Sequence, residues 1–132
     1  MPNRVDKTDK QWKETLSDEQ FAVLRRKATE APFSGVYDRE FSHGTYRCAG
    51  CNAQLFASVT KFDAHCGWPS FYDALPGVVE FIQDDSLGMQ RTEVVCATCG
   101  GHLGHVFEGE GFATPTDQRY CINSLSLQFD KE

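Results

Sequence analysis

The sequence predicts a mainly β domain of antiparallel strands led by one helix, and three observations predict it. After Pro32 the chain breaks into short runs of aromatic and β-branched residues separated by Gly, Asp and Pro, the texture of hairpin-connected strands. Before Pro32 one stretch carries helix-start signals. Two Cys-x-x-Cys pairs far apart in sequence offer a metal staple across such a fold.

Residues 1–15 are polar and expected to pack loosely, with Trp12 placed to pin them to the body. Ser17-Asp18-Glu19-Gln20 reads as a capping box, flanked by Leu16 and Phe21 as a hydrophobic staple. The helix that follows would bury Phe21, Leu24 and Ala28, which recur at helical spacing. It would end at Ala31-Pro32, because the residue before proline avoids the α region. Eight strands are expected beyond it, over 45–48, 54–57, 68–72, 78–82, 89–95, 105–107, 119–124 and 125–129. The last two can run on as one strand, with Leu125, Leu127 and Phe129 pointing inward. Segments 84–88 and 108–111 have turn chemistry.

The 132 residues fit one domain, 1–132, and ten Phe, four Tyr and two Trp supply an aromatic core. A net charge of −6 opposes a nucleic-acid surface. The start of the chain has no apolar run behind its charges, and no stretch is long enough to span a bilayer. The expected setting is the cytoplasm, and nothing demands more than a monomer. In that compartment six cysteines suit metal ligation or redox chemistry better than a structural disulfide framework.

Cys48, Cys51, Cys96 and Cys99 form two knuckles, each following a strand, and together make a closed four-thiolate zinc site. Small residues within the knuckles let backbone amides approach the sulfurs. Such a zinc ion is structural, stapling early strands to late ones. A thioredoxin-like redox pair is the competing reading, but it would open a helix and need no twin.

Two thiols remain. In Arg119-Tyr120-Cys121-Ile122-Asn123-Ser124, strand alternation puts Arg119, Cys121 and Asn123 on one face, with Tyr120 and Ile122 toward the core. A guanidinium near Cys121 favours its thiolate, and Asn123 can orient a polar substrate atom. From this stretch alone, Cys121 is equally well a small buried hydrophobe. Cys66 stands beside Gly67, which allows loop movement, and Trp68, a flat apolar surface suited to a methyl group or to a plain core. His102 and His105 offer imidazoles, either able to donate a proton near neutral pH.

The order of these motifs is a Cys-x-x-Cys pair, Cys66-Gly67-Trp68-Pro69-Ser70-Phe71, a second pair, His102-Leu103-Gly104-His105-Val106-Phe107, then 119–124. It closely resembles the B-type methionine-R-sulfoxide reductases, over about residues 16–129. The resemblance implies a β-tent: two antiparallel sheets with an N-terminal helix and structural zinc on Cys48, Cys51, Cys96 and Cys99. It implies Cys121 as nucleophile, Cys66 as resolving thiol, and Trp68, His102, His105, Phe107, Arg119 and Asn123 around the substrate. The chain departs from the family pattern at Ala64-His65 where Ser-Gly is usual, at Asp117 where Gly is usual, and at Glu108 to Glu110 where the family's loop has an Asp.

On that resemblance, the Cys121 thiolate would attack the sulfoxide sulfur while His102 or His105, with Asn123, serves the oxygen. Trp68 would hold the methyl group, so that one epimer alone is reduced. The resulting Cys121 sulfenic acid would condense with Cys66, and thioredoxin would reduce the disulfide. Oxidised proteins and peptides are the implied partners, in a repair role against oxidative stress. A zinc-ribbon binding module without catalysis is the alternative, and a thiol peroxidase a third reading.

Overall fold

Two antiparallel sheets close on one aromatic core in the computed structural model, which describes residues 7–132. The first six residues of the segment expected to be loose, and with them the apolar-poor start of the chain, lie outside the described residues. Most of the rest of that segment is helical, and Trp12 is its buried anchor. Thr8 caps a helix over Asp9–Thr15 (α1), its hydroxyl accepting from the Gln11 amide while the Gln11 side chain accepts from the Thr8 amide. Trp12 on α1 is 1% exposed. Loss of about 1 kcal/mol of capping is enough to threaten a helix of two turns, so this reciprocal cap and the Trp12 anchor explain why it forms.

The second helix (α2) spans Asp18–Arg26 and opens on the anticipated Ser17–Gln20 capping box. Leu16 and Phe21 are both buried, as a staple requires. The helix stops at Lys27, five residues short of Pro32, because Lys27 turns left-handed at φ 61°. The Lys27 and Ala28 amides then both run back to the Ala22 carbonyl.

Nine strands follow: Gly44–Cys48 (β1), Gln54–Ala57 (β2), Lys61–Phe62 (β3), Ser70–Phe71 (β4), Val79–Asp84 (β5), Arg91–Cys96 (β6), His102–Glu108 (β7), Gln118–Ile122 (β8) and Leu127–Lys131 (β9). Each expected strand overlaps one of these, and the two-residue β3 is additional. The order is β2-β1-β9 in one sheet and β3-β4-β8-β7-β6-β5 in the other. The last two expected strands are not continuous. A 3-10 turn at Ser124–Ser126 carries the chain from the large sheet to the small one, which takes Leu125 off the strand and leaves Leu127 as the buried residue.

Tyr46, Leu55, Phe56 and Leu127 from the small sheet meet Phe71, Val94, Leu103, Tyr120 and Ile122 from the large one. Phe56 stacks on Phe71 at 4.4 Å between ring centroids, and Tyr46 meets Phe71 edge-on at 5.0 Å. Each such side chain, fully buried, contributes roughly 1.5–3 kcal/mol, which is what fixes the strand register. Tyr120 and Ile122 lie on this core side, so the opposite face of β8 is free for Arg119 and Cys121. Among the described residues no helix is long and apolar enough to cross a membrane.

Candidate active site

One transverse row of side chains crosses the large sheet. Cα partners place Glu93 on β6 opposite His105 on β7, His105 opposite Cys121 on β8, and Cys121 opposite Ser70 on β4. Residues directly opposite share a face, so an acid, an imidazole, a thiol and a hydroxyl stand side by side. Gly104 makes the β7–β8 approach possible, since a Cβ there would overlap the Cys121 carbonyl.

Cys66 reaches this row from the loop before β4. Its sulfur lies 3.9 Å from Cys121 Sγ and 3.3 Å from Ser70 Oγ. Gly67 holds the loop at φ 94°, accepts a hydrogen bond from the Phe33 amide, and has no room for a Cβ against Pro32. The two sulfurs act as one acid. The Cys121 thiol donates to Cys66 and, with Arg119 nearby, brings the Cys66 thiol down to about 5 against the cost of burial. That same hydrogen bond, then burial, pushes Cys121 up, with Arg119 pulling the other way. At neutral pH the pair therefore holds one proton and one charge. The expected thiolate at Cys121 is displaced onto Cys66 in this resting arrangement, because the Cys66 contact outweighs the Arg119 guanidinium.

A cavity of about 210 Å³ opens over the pair, lined by Cys66, Trp68, His105, Phe107, Arg119, Cys121 and Asn123 together with Thr29, Arg91 and Gly104. Seven of the eight side chains expected at a reactive centre thus come together. The eighth, His102, is 3% exposed and sits behind His105, ring centroids 5.6 Å apart, without lining the cavity. Residues three apart on a strand should face opposite ways. A bulge against Val94 and Val95 adds a residue to β7 and brings the two imidazoles to one side.

Several lining groups are held by partners that the sequence did not reveal. Glu110 grips Arg119 with two hydrogen bonds, Nε to Oε1 at 2.8 Å and a terminal nitrogen to Oε2 at 3.2 Å, while the guanidinium lies 4.5 Å over the Phe107 ring. Asn123 is buried and mostly committed. Its oxygen accepts from the Glu30 amide and its nitrogen donates to the Leu103 carbonyl, both at 3.0 Å, leaving one N–H for anything in the cavity. The Trp68 indole donates to the Glu30 carbonyl at 3.0 Å. Glu30, unremarked in the sequence, thus fixes two of the lining side chains through its backbone.

Away from the cavity, Cys48, Cys51, Cys96 and Cys99 place their sulfurs within 4.8 Å of one another. Tetrahedral zinc at 2.3 Å from each thiolate requires neighbouring sulfurs about 3.8 Å apart. Cys48–Cys99 and Cys51–Cys96 stand at 3.7 and 3.6 Å, close to that spacing, so the cluster suits a metal ion of that kind. Both helices cover it. A Cβ on Gly50 would touch the Trp12 ring at 3.3 Å, and Arg25 donates to the Cys99 carbonyl at 3.0 Å.

The SelR domain family model matches residues 16–131. The chain is 53% identical over 131 residues to "Peptide methionine sulfoxide reductase B2, chloroplastic" of Arabidopsis thaliana, covering 99% of this chain and 64% of that protein. It is 54% identical over 128 residues to "Peptide methionine sulfoxide reductase B3" of the same plant, covering 97% of this chain and 72% of the relative. An uncharacterized Schizosaccharomyces pombe protein is 50% identical over 129 residues, covering 97% and 94%. The chain spans just under two thirds of the B2 protein and most of the other two. With its thiol pair, four-cysteine cluster and matched sequence, the chain belongs to the SelR domain family, the B-type methionine sulfoxide reductase family that its motifs resemble.

Proposed function

We propose that this chain, acting as one domain, reduces methionine-R-sulfoxide in proteins and peptides to methionine. The observation that carries the reading is a single cavity containing both thiols left over from the metal cluster, 3.9 Å apart. A zinc-ribbon binding module has no use for two thiols in contact, and a thiol peroxidase has none for an apolar cavity wall of Trp68 and Phe107.

A sulfoxide oxygen leaves poorly, so reduction needs a strong nucleophile and a proton. The proton shared by the pair moves from Cys121 to Cys66, freeing the Cys121 thiolate on the rigid strand beside Arg119. Attack on the sulfoxide, with one proton supplied from an imidazolium, passes the oxygen to Cys121 as a sulfenic acid and releases methionine. Condensation with the Cys66 thiol then forms the disulfide and one water. Closing from 3.9 Å to an S–S bond of about 2 Å needs only a small shift of the Cys66 loop. Thioredoxin is the proposed reductant, by thiol–disulfide exchange. Trp68 and Phe107 present the apolar surface for the methyl group, and the remaining Asn123 N–H is available to the oxygen.

Cys48, Cys51, Cys96 and Cys99 would hold one structural zinc ion, which has no open coordination position and so takes no part in the redox step. We place the chain, as a monomer, in a reducing compartment such as the cytoplasm, where six free thiols persist. The test is an assay on the two separated sulfoxide epimers of a methionine-containing peptide, with intact mass recorded before and after. The R epimer should give methionine and a protein two hydrogens lighter. Equal turnover of both epimers, or a mass unchanged by the R epimer, rejects the reading.

A further inference from the structure

Behind the cavity lie two buried carboxylates, bridged by an exposed lysine, that the reaction above leaves unused. Asp84, at the end of β5, is 4% exposed, and Glu93 on β6 is 7% exposed. His105 Nε2 stands 2.8 Å from Asp84 Oδ2, and His102 Nδ1 stands 2.7 Å from Glu93 Oε2. Lys27 Nζ lies 3.3 Å from Asp84 Oδ2 and 3.3 Å from Glu93 Oε1, bridging the two carboxylates. Arg91 approaches Asp84 Oδ2 at 3.5 Å.

We propose that Asp84 and Glu93 are positioning residues that hold His105 and His102 by one ring nitrogen each, and that Lys27 joins both carboxylates into a single unit behind the cavity. The inference rests on the sulfoxide-reductase reading and assigns the acid to His105. The two imidazoles are held by opposite nitrogens. Glu93 fixes the proton of His102 on Nδ1 and leaves its buried Nε2 without a partner among the described residues. Asp84 fixes His105 by Nε2 and leaves Nδ1 as its other polar atom. Only His105 lines the cavity. Burial, ahead of the opposing pull of Glu93, keeps His102 below the usual imidazole range, so it stays neutral.

Asp84 has a plainer task, closing the turn after β5, but that uses the other oxygen. Oδ1 accepts from the Ser86 amide at 3.0 Å, while Oδ2 collects His105, Lys27 and Arg91. Those contacts, His105 first and Ser86 next, hold the Asp84 carboxyl well below the ordinary carboxylate range, so it faces the imidazole as an anion. Lys27 supports the assignment from the backbone side. It occupies a left-handed helix end, φ 61°, where glycine is favoured, yet the residue present is one whose amine reaches both acids.

The charged and titratable groups around His105 are Asp84 on β5, Arg91 and Glu93 on β6, Lys27 at the end of α2, His102 on β7, and Arg119 and Cys121 on β8. Removing the anion and removing the cation must act in opposite senses. In zinc-loaded full-length protein, the single-turnover rate of methionine formation at saturating R-sulfoxide is followed against pH for wild type, Asp84→Asn and Lys27→Gly. Asp84→Asn should lose on the order of 10-fold or more at pH 8 and much less at pH 6, its alkaline limb moving to lower pH. Lys27→Gly, whose backbone suits the site, should move that limb to higher pH. Imidazole nitrogen–proton correlation spectra should show the His105 ring proton hydrogen-bonded in wild type and shifted upfield in Asp84→Asn.

Equal loss in both variants at every pH would reduce the cluster to a structural role and overturn the proposal, as would an unaltered Asp84→Asn profile. If the wild type reduces neither epimer, the activity reading fails by itself. The ring-proton spectra still decide the positioning, which an unchanged His105 signal in Asp84→Asn would overturn.

Discussion

Cys66 Sγ and Cys121 Sγ face each other at 3.9 Å across 55 residues of chain, one on a glycine-hinged loop and the other on the strand that bears Arg119. Because they share one proton, substitution of either changes the other. Replacing Cys66 with Ser removes the contact that pushes Cys121 up most and leaves burial alone to oppose Arg119. Cys121 should then be alkylated faster by iodoacetamide at pH 7 than in wild type, where mass mapping should find Cys66 modified first. The same variant should complete one turnover and fail to recycle with thioredoxin, whereas Cys121→Ser should make no methionine at all. Identical single-turnover yields from the two variants would defeat this division of labour.

Loss of the metal cluster should be felt in stability before chemistry. Apparent zinc-binding free energies of about 10–16 kcal/mol in small zinc domains rival the whole stability of a domain. Cys99→Ser should therefore bind less zinc and melt on the order of 10 °C lower or more. Since Trp12 packs on the Gly50 knuckle, its fluorescence should change on metal removal. Intact melting behaviour after zinc loss, with activity gone, would instead point to a catalytic metal.

The metal cluster and the thiol pair were legible because their signals are local in sequence or chemically distinctive. Strand centres were legible too, since aromatic and β-branched runs report burial directly. Helix α1 was missed although Thr8 and Gln11 carry the same capping spacing as Ser17 and Gln20. The early end of α2 was missed because Lys27 gives none of the signal a glycine would. The departures at His65 and Asp117 fall on backbone that favours glycine, since both take left-handed φ, 56° and 51°. The Asp117 carboxylate answers this by accepting from the Gly111 and Phe112 amides at 3.1 and 2.8 Å, and the His65 amide donates to Asp63. What no local pattern reports is tertiary pairing. The β7 bulge and the acids Glu30, Asp84, Glu93 and Glu110 read as ordinary surface residues until the sheets close around them.

Glu30 gives a prediction about pH. Its backbone holds Trp68 and Asn123, and Oε1 accepts from the Leu125 amide, but buried Oε2 finds no hydrogen bond of ordinary geometry among the described residues. Burial raises its carboxyl above the usual range, partly offset by hydrogen bonds from Leu125 and Ser124. An acid whose folded-state pKa is raised binds its proton more tightly when folded, so stability falls as pH climbs from the unfolded value through the raised one. The penalty is complete above that window and absent below it. Glu30→Gln keeps the Leu125 contact and removes the charge. It should melt several degrees above wild type at pH 8, since an unsatisfied buried polar group costs about 1–3 kcal/mol. The gap should close as both proteins are taken toward pH 4. A variant less stable than wild type at pH 8, or a gap that widens in acid, would mean that the Glu30 charge supports the fold instead of opposing it.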